Sequence, residues 1–341
     1  MNDVMLGPLE LAIAREHWPL AVPFVISART FDEVEVLVLT LSHRGIAGHA
    51  EAFGTYFLGE TVQSMVDQLE SVRCEVERGL SRASLQGLLP PGGARNALDC
   101  AYWELEARVC RRPVWNLVGV PPPRPVSCLV TCGAGEPREM AETAQRAQYA
   151  KAIKLKLLGD TDDAARVRAV RLARPDAWLS VDANQGLTRE NLIALIPSLV
   201  AARVSLIEQP FPVGAEAEID RLNSPIPFAA DESVRHLGDI DRLQGRFKWL
   251  NIKLDKCGGL TEALAMISSA RTQGLRTWVG CMFGTSLAMA PAFIAGQLAD
   301  FVELDAPLFL ARDRSPAIAY AAGSVSVTPD LWGATANAPE W

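Results

Sequence analysis

Lys154 with Lys156, Asp182, Glu208, Asp231 and Lys253 each stand at or beside the end of a short apolar run. Three carboxylates brought to one point repel one another, so their convergence calls for a cation at the centre. Hard oxygen donors without His or Cys select Mg²⁺ over zinc, with water or substrate completing an octahedral shell. Lys154 and Lys156 are two residues apart, which places both on one face of a strand. Lys253 comes from a run far enough along the chain to face them from the opposite side of a closed ring. A lysine acts as a base near neutral pH when desolvation and neighbouring positive charge pull its pKa toward about 7–8; Lys154 and the cation would supply that charge. Mg²⁺ on a substrate carboxylate stabilises the enediolate left when the α-proton departs. A proton removed from one face and returned to the other inverts that carbon. Taken singly, a strand-end carboxylate is more often a helix cap or ion-pair partner, and a Lys-Leu-Lys run can be a solvated edge strand. Stability alone does not require all of them in register at one set of strand ends.

The elements that must position these residues recur from residue 126 onward. Apolar runs at 126–131, 152–156, 178–182, 204–208, 227–231, 248–253, 276–281 and 300–305 end at intervals of 22 to 28 residues. Amphipathic stretches such as 138–150, 189–202 and 261–272 lie between them, with apolar residues at three-to-four spacing. Strands alternating with helices imply parallel pairing and right-handed crossovers. Eight such strands predict an α/β barrel with its site at the C-terminal rim. A solenoid would repeat side chains as well as length, and these units repeat only length. Before the barrel, 34–41 alternates as a half-buried strand. Stretches 60–79 and 94–110 read as helices, the second with Leu98, Tyr102, Leu105 and Val109 on one face. The Pro-rich stretch 120–126 reads as a linker, and 306–341 as an irregular tail that packs back on the first domain.

Composition narrows the classes. The chain has 341 residues, 49% hydrophobic and 21% charged, enough to bury a large core. Its 33 Lys and Arg against 40 Asp and Glu, with no long basic run, argue against nucleic acid or an anionic membrane as the main partner. The longest apolar candidate, 287–299, is broken by Pro291 and Gly296 and falls short of the ~18 residues that span a bilayer. Acidic residues and Pro8 stand where a secretion signal would be basic and then apolar, so the cytoplasm is expected. The seven cysteines show no C-x-x-C spacing and the four histidines form no ligand pattern, which excludes a zinc site. The 132–135 Cys-Gly-Ala-Gly segment is too short to be a nucleotide loop.

The motifs Ala97-Leu-Asp-Cys-Ala-Tyr-Trp-Glu104, Lys154-Leu-Lys156, Asp182-Ala-Asn184, Glu208-Gln-Pro210, Ala230-Asp-Glu-Ser233 and Asn251-Ile-Lys-Leu254 together resemble the enolase superfamily. The resemblance is to its muconate-lactonizing subgroup, and within that to dipeptide epimerases of the L-Ala-D/L-Glu type. It implies a modified TIM barrel of (β/α)7β form over 121–310, an α+β capping domain with lid loops over 1–120, and a tail over 311–341. It implies one Mg²⁺ on Asp182, Glu208 and Asp231, an acid/base pair in Lys156 and Lys253 with Lys154 beside them, and Asn184 and Glu232 behind the ligands. The mandelate-racemase branch needs a His at the end of the seventh strand, where this chain has Gly280-Cys-Met-Phe-Gly284.

Glu303-Leu-Asp305 resembles the D-x-D motif that holds a dipeptide's α-ammonium group, with Glu lengthening the first arm by one methylene. The alternative is a structural acidic pair near Arg312 or Arg314. Thr131, after the first barrel strand, is a further candidate substrate contact, although such a Thr is as often a turn former. Asp255 departs from many dipeptide epimerases and would either add acidity to the pocket or join a salt bridge. Lid loops at 21–30 and 51–60 would set specificity through Phe24 and other apolar residues, with Arg29 as their only cation. The implied substrate is a small molecule, a dipeptide or, as the alternative, an N-acyl amino acid such as an N-acyl-glutamate. A cycloisomerase or lyase fits less well, because Glu303 and Asp305 would repel a diacid. Barrels of this kind often assemble with copies of themselves.

Overall fold

The computed structural model describes residues 5–26, 29–328 and 330–333. The chain opens with an antiparallel meander, β1 (Glu10–Ile26), β2 (Arg29–His43) and β3 (Ile46–Ala52), in that order across the sheet. Arg44 and Gly45 both adopt positive φ between β2 and β3, the geometry that matches a tight turn to strand twist. Only the middle of β2 had a legible alternation. β1 carries Pro19 and Pro23, which mask a strand signal and are tolerated because β1 is an edge. β3 is built from small residues because a helix lies against it: a Cβ on Gly48 would fall 2.2 Å from the Ala101 carbonyl oxygen.

That helix, Gly93–Cys110, departs from its expected single apolar face: every residue from Gly93 through Ala107 is buried. It is enclosed by the meander and the barrel, and its polar side chains find partners on both. Asp99 accepts from Thr261 N at 2.9 Å and so caps the barrel helix Leu260–Thr272, while Glu104 accepts from His49 N at 2.6 Å. Arg95 pairs with Glu262, and Arg82 with Glu106. Buried charges survive where such pairing is complete. The single helix expected over 60–79 divides at Val72 into Val62–Ser71 and Arg73–Arg78.

After a two-residue strand β4 (Val126–Ser127), eight parallel strands follow: β5 (Leu129–Cys132), β6 (Ala152–Lys156), β7 (Trp178–Asp182), β8 (Val204–Glu208), β9 (Phe228–Ala230), β10 (Trp249–Lys253), β11 (Arg276–Gly280) and β12 (Phe301–Val302). They pair in chain order, and a parallel bridge from Cys128 to Val302 closes the ring. Helices of ten to thirteen residues follow β5, β6, β7, β10 and β11. The connection after β8 carries a 3-10 segment, Glu216–Arg221, and the one after β9 a 3-10 segment, Leu237–Asp239, that runs into a four-residue helix, Ile240–Leu243. The architecture is a (β/α)7β barrel beside an α+β domain.

Period-two alternation divides the barrel interior into layers. Trp249, Asn251 and Lys253 alternate along β10, so one strand supplies an aromatic, an amide and an amine in ascending order. At the N-terminal end Trp278 stacks on Phe301 with ring centroids 5.4 Å apart, and Trp249 and Trp178 complete the plug. Polar chemistry is thereby confined to the opposite rim. The tail adds a hairpin, β13 (Ala319–Ala321) and β14 (Ser324–Ser326), which pairs with β4. Farther on it meets the first domain: Trp332 Nε1 donates to His49 O at 3.0 Å, and Val114 N to Gly333 O at 2.9 Å. Among the described residues no helix is long and apolar enough to cross a membrane.

Candidate active site

Register brings the strand-end residues together. Lys156 stands opposite Asp182, and Asp182 opposite Glu208, across β6, β7 and β8. Asp231 follows β9 directly, and Lys253 ends β10. Asp182, Glu208 and Asp231 are buried and offer one oxygen each, all within 4.8 Å of one another. Lys156 Nζ lies 2.6 Å from Asp182 Oδ2, and Lys253 Nζ 2.7 Å from Asp231 Oδ2. Lys154 Nζ lies 3.1 Å from Glu208 Oε2 and 3.4 Å from Asp182 Oδ2, and it also pairs with Glu303.

Neighbouring side chains aim these groups. Asn184 N donates to Asp182 Oδ1 at 2.8 Å, and Asn184 Nδ2 to Glu232 Oε1 at 3.2 Å. Asn251 Nδ2 donates to Glu208 Oε1 at 2.7 Å. Lys256 Nζ donates to Asp231 Oδ1 and to the carbonyls of Asp231 and Asn251. Gln209 Oε1 accepts from Asp231 N at 3.0 Å and from Ser233 N at 3.1 Å, so it shapes the turn that presents Asp231. Asn251 and Gln209 lay within the sequence motifs without an assigned role. Lys256 had no signal, because an amine beside a glycine pair reads equally well as surface charge.

The electrostatics are those of a dense buried cluster. Burial raises Glu208, the charge of Asp182 adds to this, and Lys154 opposes it, leaving the carboxyl at about 8. Burial with Asp231 and Asp182 lifts Glu232 to about 7. Asp182 and Asp231 are lowered despite burial, by Lys156 and Lys154 in the first case and Lys253 and Lys256 in the second. Lysine behaves differently from the sequence expectation of a lowered pKa. Burial does pull Lys154 and Lys253 down, but the surrounding carboxylates outweigh it and hold both above their ordinary value. The all-oxygen donor set fits a hard dication, and Glu208 Oε2 is buried and accepts no hydrogen bond, its only close cation being the Lys154 ammonium at 3.1 Å among the described residues.

Above the triad, Thr131, Glu303, Asp305, Phe24, Asn184 and Glu232 line one cavity with both catalytic lysine candidates. Phe31, Phe53, Tyr56, Phe57, Phe283 and Phe309 form its apolar wall. Residues 21–26 and 29–30 continue the β1–β2 pair as strand and are not loop, whereas the second lid segment carries the short turn Tyr56–Leu58. The side chain of Arg29 lies outside the described residues. Arg314 is engaged with Glu16 and Glu51, and Arg312 lies over Trp18, while Glu303 of the acidic pair meets Lys154. Asp305 accepts from Thr131 N at 2.6 Å and is raised to about 6 by burial and then by Glu303.

Asp255, expected as a substrate contact, is not among the residues that line the cavity. Its Oδ1 accepts from Phe53 N at 3.1 Å and Gly54 N at 2.9 Å, tying the lid to the strand end that carries Lys253. Burial raises this carboxyl to about 7, against the opposing pull of the Gly54 bond. The unfolded chain ionises it near pH 4 and the folded chain only near pH 7, so this group makes stability fall as pH rises between those values and level off above. Asp255→Asn is therefore expected to lessen that fall by up to about 4 kcal/mol, read from denaturant melts at pH 4 and pH 7.5. Identical pH slopes in both proteins would show that folding leaves the Asp255 carboxyl unshifted.

A closed β/α barrel, a meander-and-helix domain over its rim and an acidic triad between lysines define one enzyme class. Residues 9–119 match the mandelate racemase / muconate lactonizing enzyme N-terminal domain, and 137–328 the enolase C-terminal domain-like family. The chain belongs to that family. It is 40% identical to the L-Ala-D/L-Glu epimerase of Escherichia coli K12 over 92% of this chain and 98% of that one. It is 36% identical to an N-acetyl-D-glutamate racemase of Pseudoalteromonas, over 89% and 96%. Among solved structures, an enolase family member from Agrobacterium tumefaciens with bound sodium and L-Ala-L-Glu superposes with a TM-score of 0.92. That pair is 38% identical and covers 96% and 100% of the two chains. A dipeptide epimerase of Methylococcus capsulatus complexed with Mg and L-Arg-D-Lys gives 0.86 at 28% identity, over 95% and 98%.

Proposed function

We propose that this chain is a Mg²⁺-dependent epimerase that inverts the carbon α to the carboxylate of a dipeptide by two-lysine proton transfer. The observation that carries this reading is the placement of Lys156 and Lys253. They end strands four apart in an eight-stranded ring, and so face each other across the triad. A substrate Cα between them meets an amine on either face. The neutral lysine takes the α-proton, and the opposite ammonium returns one. A dication on Asp182, Glu208 and Asp231 would supply, when bound, the positive charge that stabilises the α-deprotonated substrate and offsets the carboxylates now raising Lys154 and Lys253.

The remaining work falls to side chains around the substrate. Lys154 keeps positive charge beside Lys156. The aromatic wall, in which Phe24 meets Phe283 at 5.4 Å and Phe53 meets Phe283 at 5.6 Å, excludes water and so strengthens every charge interaction beneath it. Asp305 is the acceptor for the substrate's α-nitrogen. A second reading, racemisation of an N-acyl amino acid, is favoured by the pairing of Glu303 with Lys154, which leaves less free negative charge to meet an ammonium group. We place the domain limits at 1–120, 121–310 and 311–341, and a reducing cytoplasm suits seven free cysteines.

The test is incubation in D₂O with Mg²⁺ and separate pools of dipeptides and N-acyl amino acids, followed by mass spectrometry. A one-mass-unit gain in dipeptides, with the epimer formed, is the expected result. Exchange confined to the N-acyl pool would select the second reading. A product of new mass absorbing in the ultraviolet would instead indicate elimination.

A further inference from the structure

Glu303 is buried, and both its oxygens are engaged. Oε1 pairs with Lys154 Nζ and accepts from Thr131 Oγ1 at 3.0 Å, while Oε2 accepts from Trp278 Nε1 at 3.3 Å. Lys154 in turn is 1% exposed, so its charge must be met by protein. Its other neighbours are Glu208 Oε2 at 3.1 Å and Asp182 Oδ2 at 3.4 Å, two oxygens of the very triad that would hold a dication. An ammonium group and a metal ion compete for the same lone pairs. Whichever carboxylate holds Lys154 decides whether the triad stays open.

We propose that Glu303 is a positioning residue: it draws Lys154 aside from Glu208 and Asp182 so that the triad accepts a dication, and it leaves recognition of the substrate nitrogen to Asp305. Among the described residues Asp305 forms no ion pair, although it lines the same cavity two residues farther on. Trp278 and Thr131 hold Glu303 from two other strands, so its carboxylate is fixed before any ligand arrives. The arm of Glu303 reaches Lys154 from beyond the end of β12, across β5. The part concerning Asp305 rests on the epimerase reading. The part concerning Lys154 does not.

The experiment is Mg²⁺ titration calorimetry on the full chain as a double-mutant cycle. Glu303→Gln is expected to weaken Mg²⁺ binding about tenfold, because Lys154 then turns to the triad. In a Lys154→Met background the same change is expected to leave affinity within about twofold, since no ammonium remains to redirect. Binding unchanged by Glu303→Gln, or an equal loss in both backgrounds, overturns the proposal. Should Glu303→Gln alone fail to fold, the double variant removes both charges of the pair together, and a loss relative to Lys154→Met alone overturns it equally. At saturating Mg²⁺, Glu303→Gln should slow α-proton exchange in dipeptides and N-acyl amino acids by the same factor. A raised KM for the dipeptide alone would assign Glu303 to the ammonium group instead. If the unsubstituted protein exchanges no substrate, the functional reading fails, and the calorimetric cycle still decides the role of Glu303.

Discussion

Lys156→Ala is expected to abolish net epimerisation, by about 10²–10⁴-fold or more, while solvent deuterium still enters one of the two epimers. The surviving exchange comes from Lys253, which abstracts the proton on its own face and returns deuterium there. Lys253→Ala should show the mirror pattern, with exchange only in the other epimer. Both variants are expected to fold. With Lys156 removed, Asp182 retains Lys154 at 3.4 Å, and with Lys253 removed, Asp231 retains Lys256. Neither substitution leaves a buried carboxylate without a cation. Chiral chromatography with deuterium readout makes the measurement, and exchange of both epimers in either variant would refute a two-lysine mechanism.

The triad carboxylates should divide into two kinds when neutralised. Asp231→Asn removes the shared partner of Lys253 and Lys256, two buried ammonium groups, and is expected to cost about 3–5 kcal/mol of stability as well as Mg²⁺ binding. Glu208→Gln should also lose Mg²⁺ binding. Its carboxyl is raised by burial and by Asp182, however, so the metal-free protein holds it protonated more readily than an ordinary carboxylate. The amide is then close to isosteric with the native form, and the melting temperature in chelator should stay level or rise. Calorimetry with Mg²⁺ and thermal melts in chelator separate the two effects. A Glu208→Gln protein that binds Mg²⁺ normally would remove Glu208 from the ligand set. One that melts as low as Asp231→Asn would show that Glu208 is ionised without the metal.

Much of the barrel was legible because its information is local. A parallel β/α unit is completed within some two dozen residues, so apolar runs at 152–156, 178–182 and 204–208 coincide with β6, β7 and β8 residue for residue. An ionisable side chain at the end of a buried strand is tolerated only at an open rim, which made Lys156, Asp182, Glu208 and Lys253 conspicuous. Asp231 sat one residue past β9 for the same reason. The first domain was less legible. The prolines of β1 and the small residues of β3 carry no strand pattern by themselves, and both are strands because of what they pack beside.

Residue type and spacing by themselves determined the eightfold repeat, the rim on which chemistry collects and the ligand set suited to a hard cation. Tertiary structure alone decided which charges meet. Asp255 was an unexplained acid until two backbone amides some two hundred positions earlier were brought to it, and Glu303 had no visible cationic partner until β12 closed against β5 and carried it to Lys154. The burial of Gly93–Ala107 on every side was decided in the same way, by two domains closing over it. The physical reason is common to all three. Helix and strand periodicity are set by neighbours a few residues away, whereas the partner of a buried charge is set by chain closure, for which a linear sequence holds no distance.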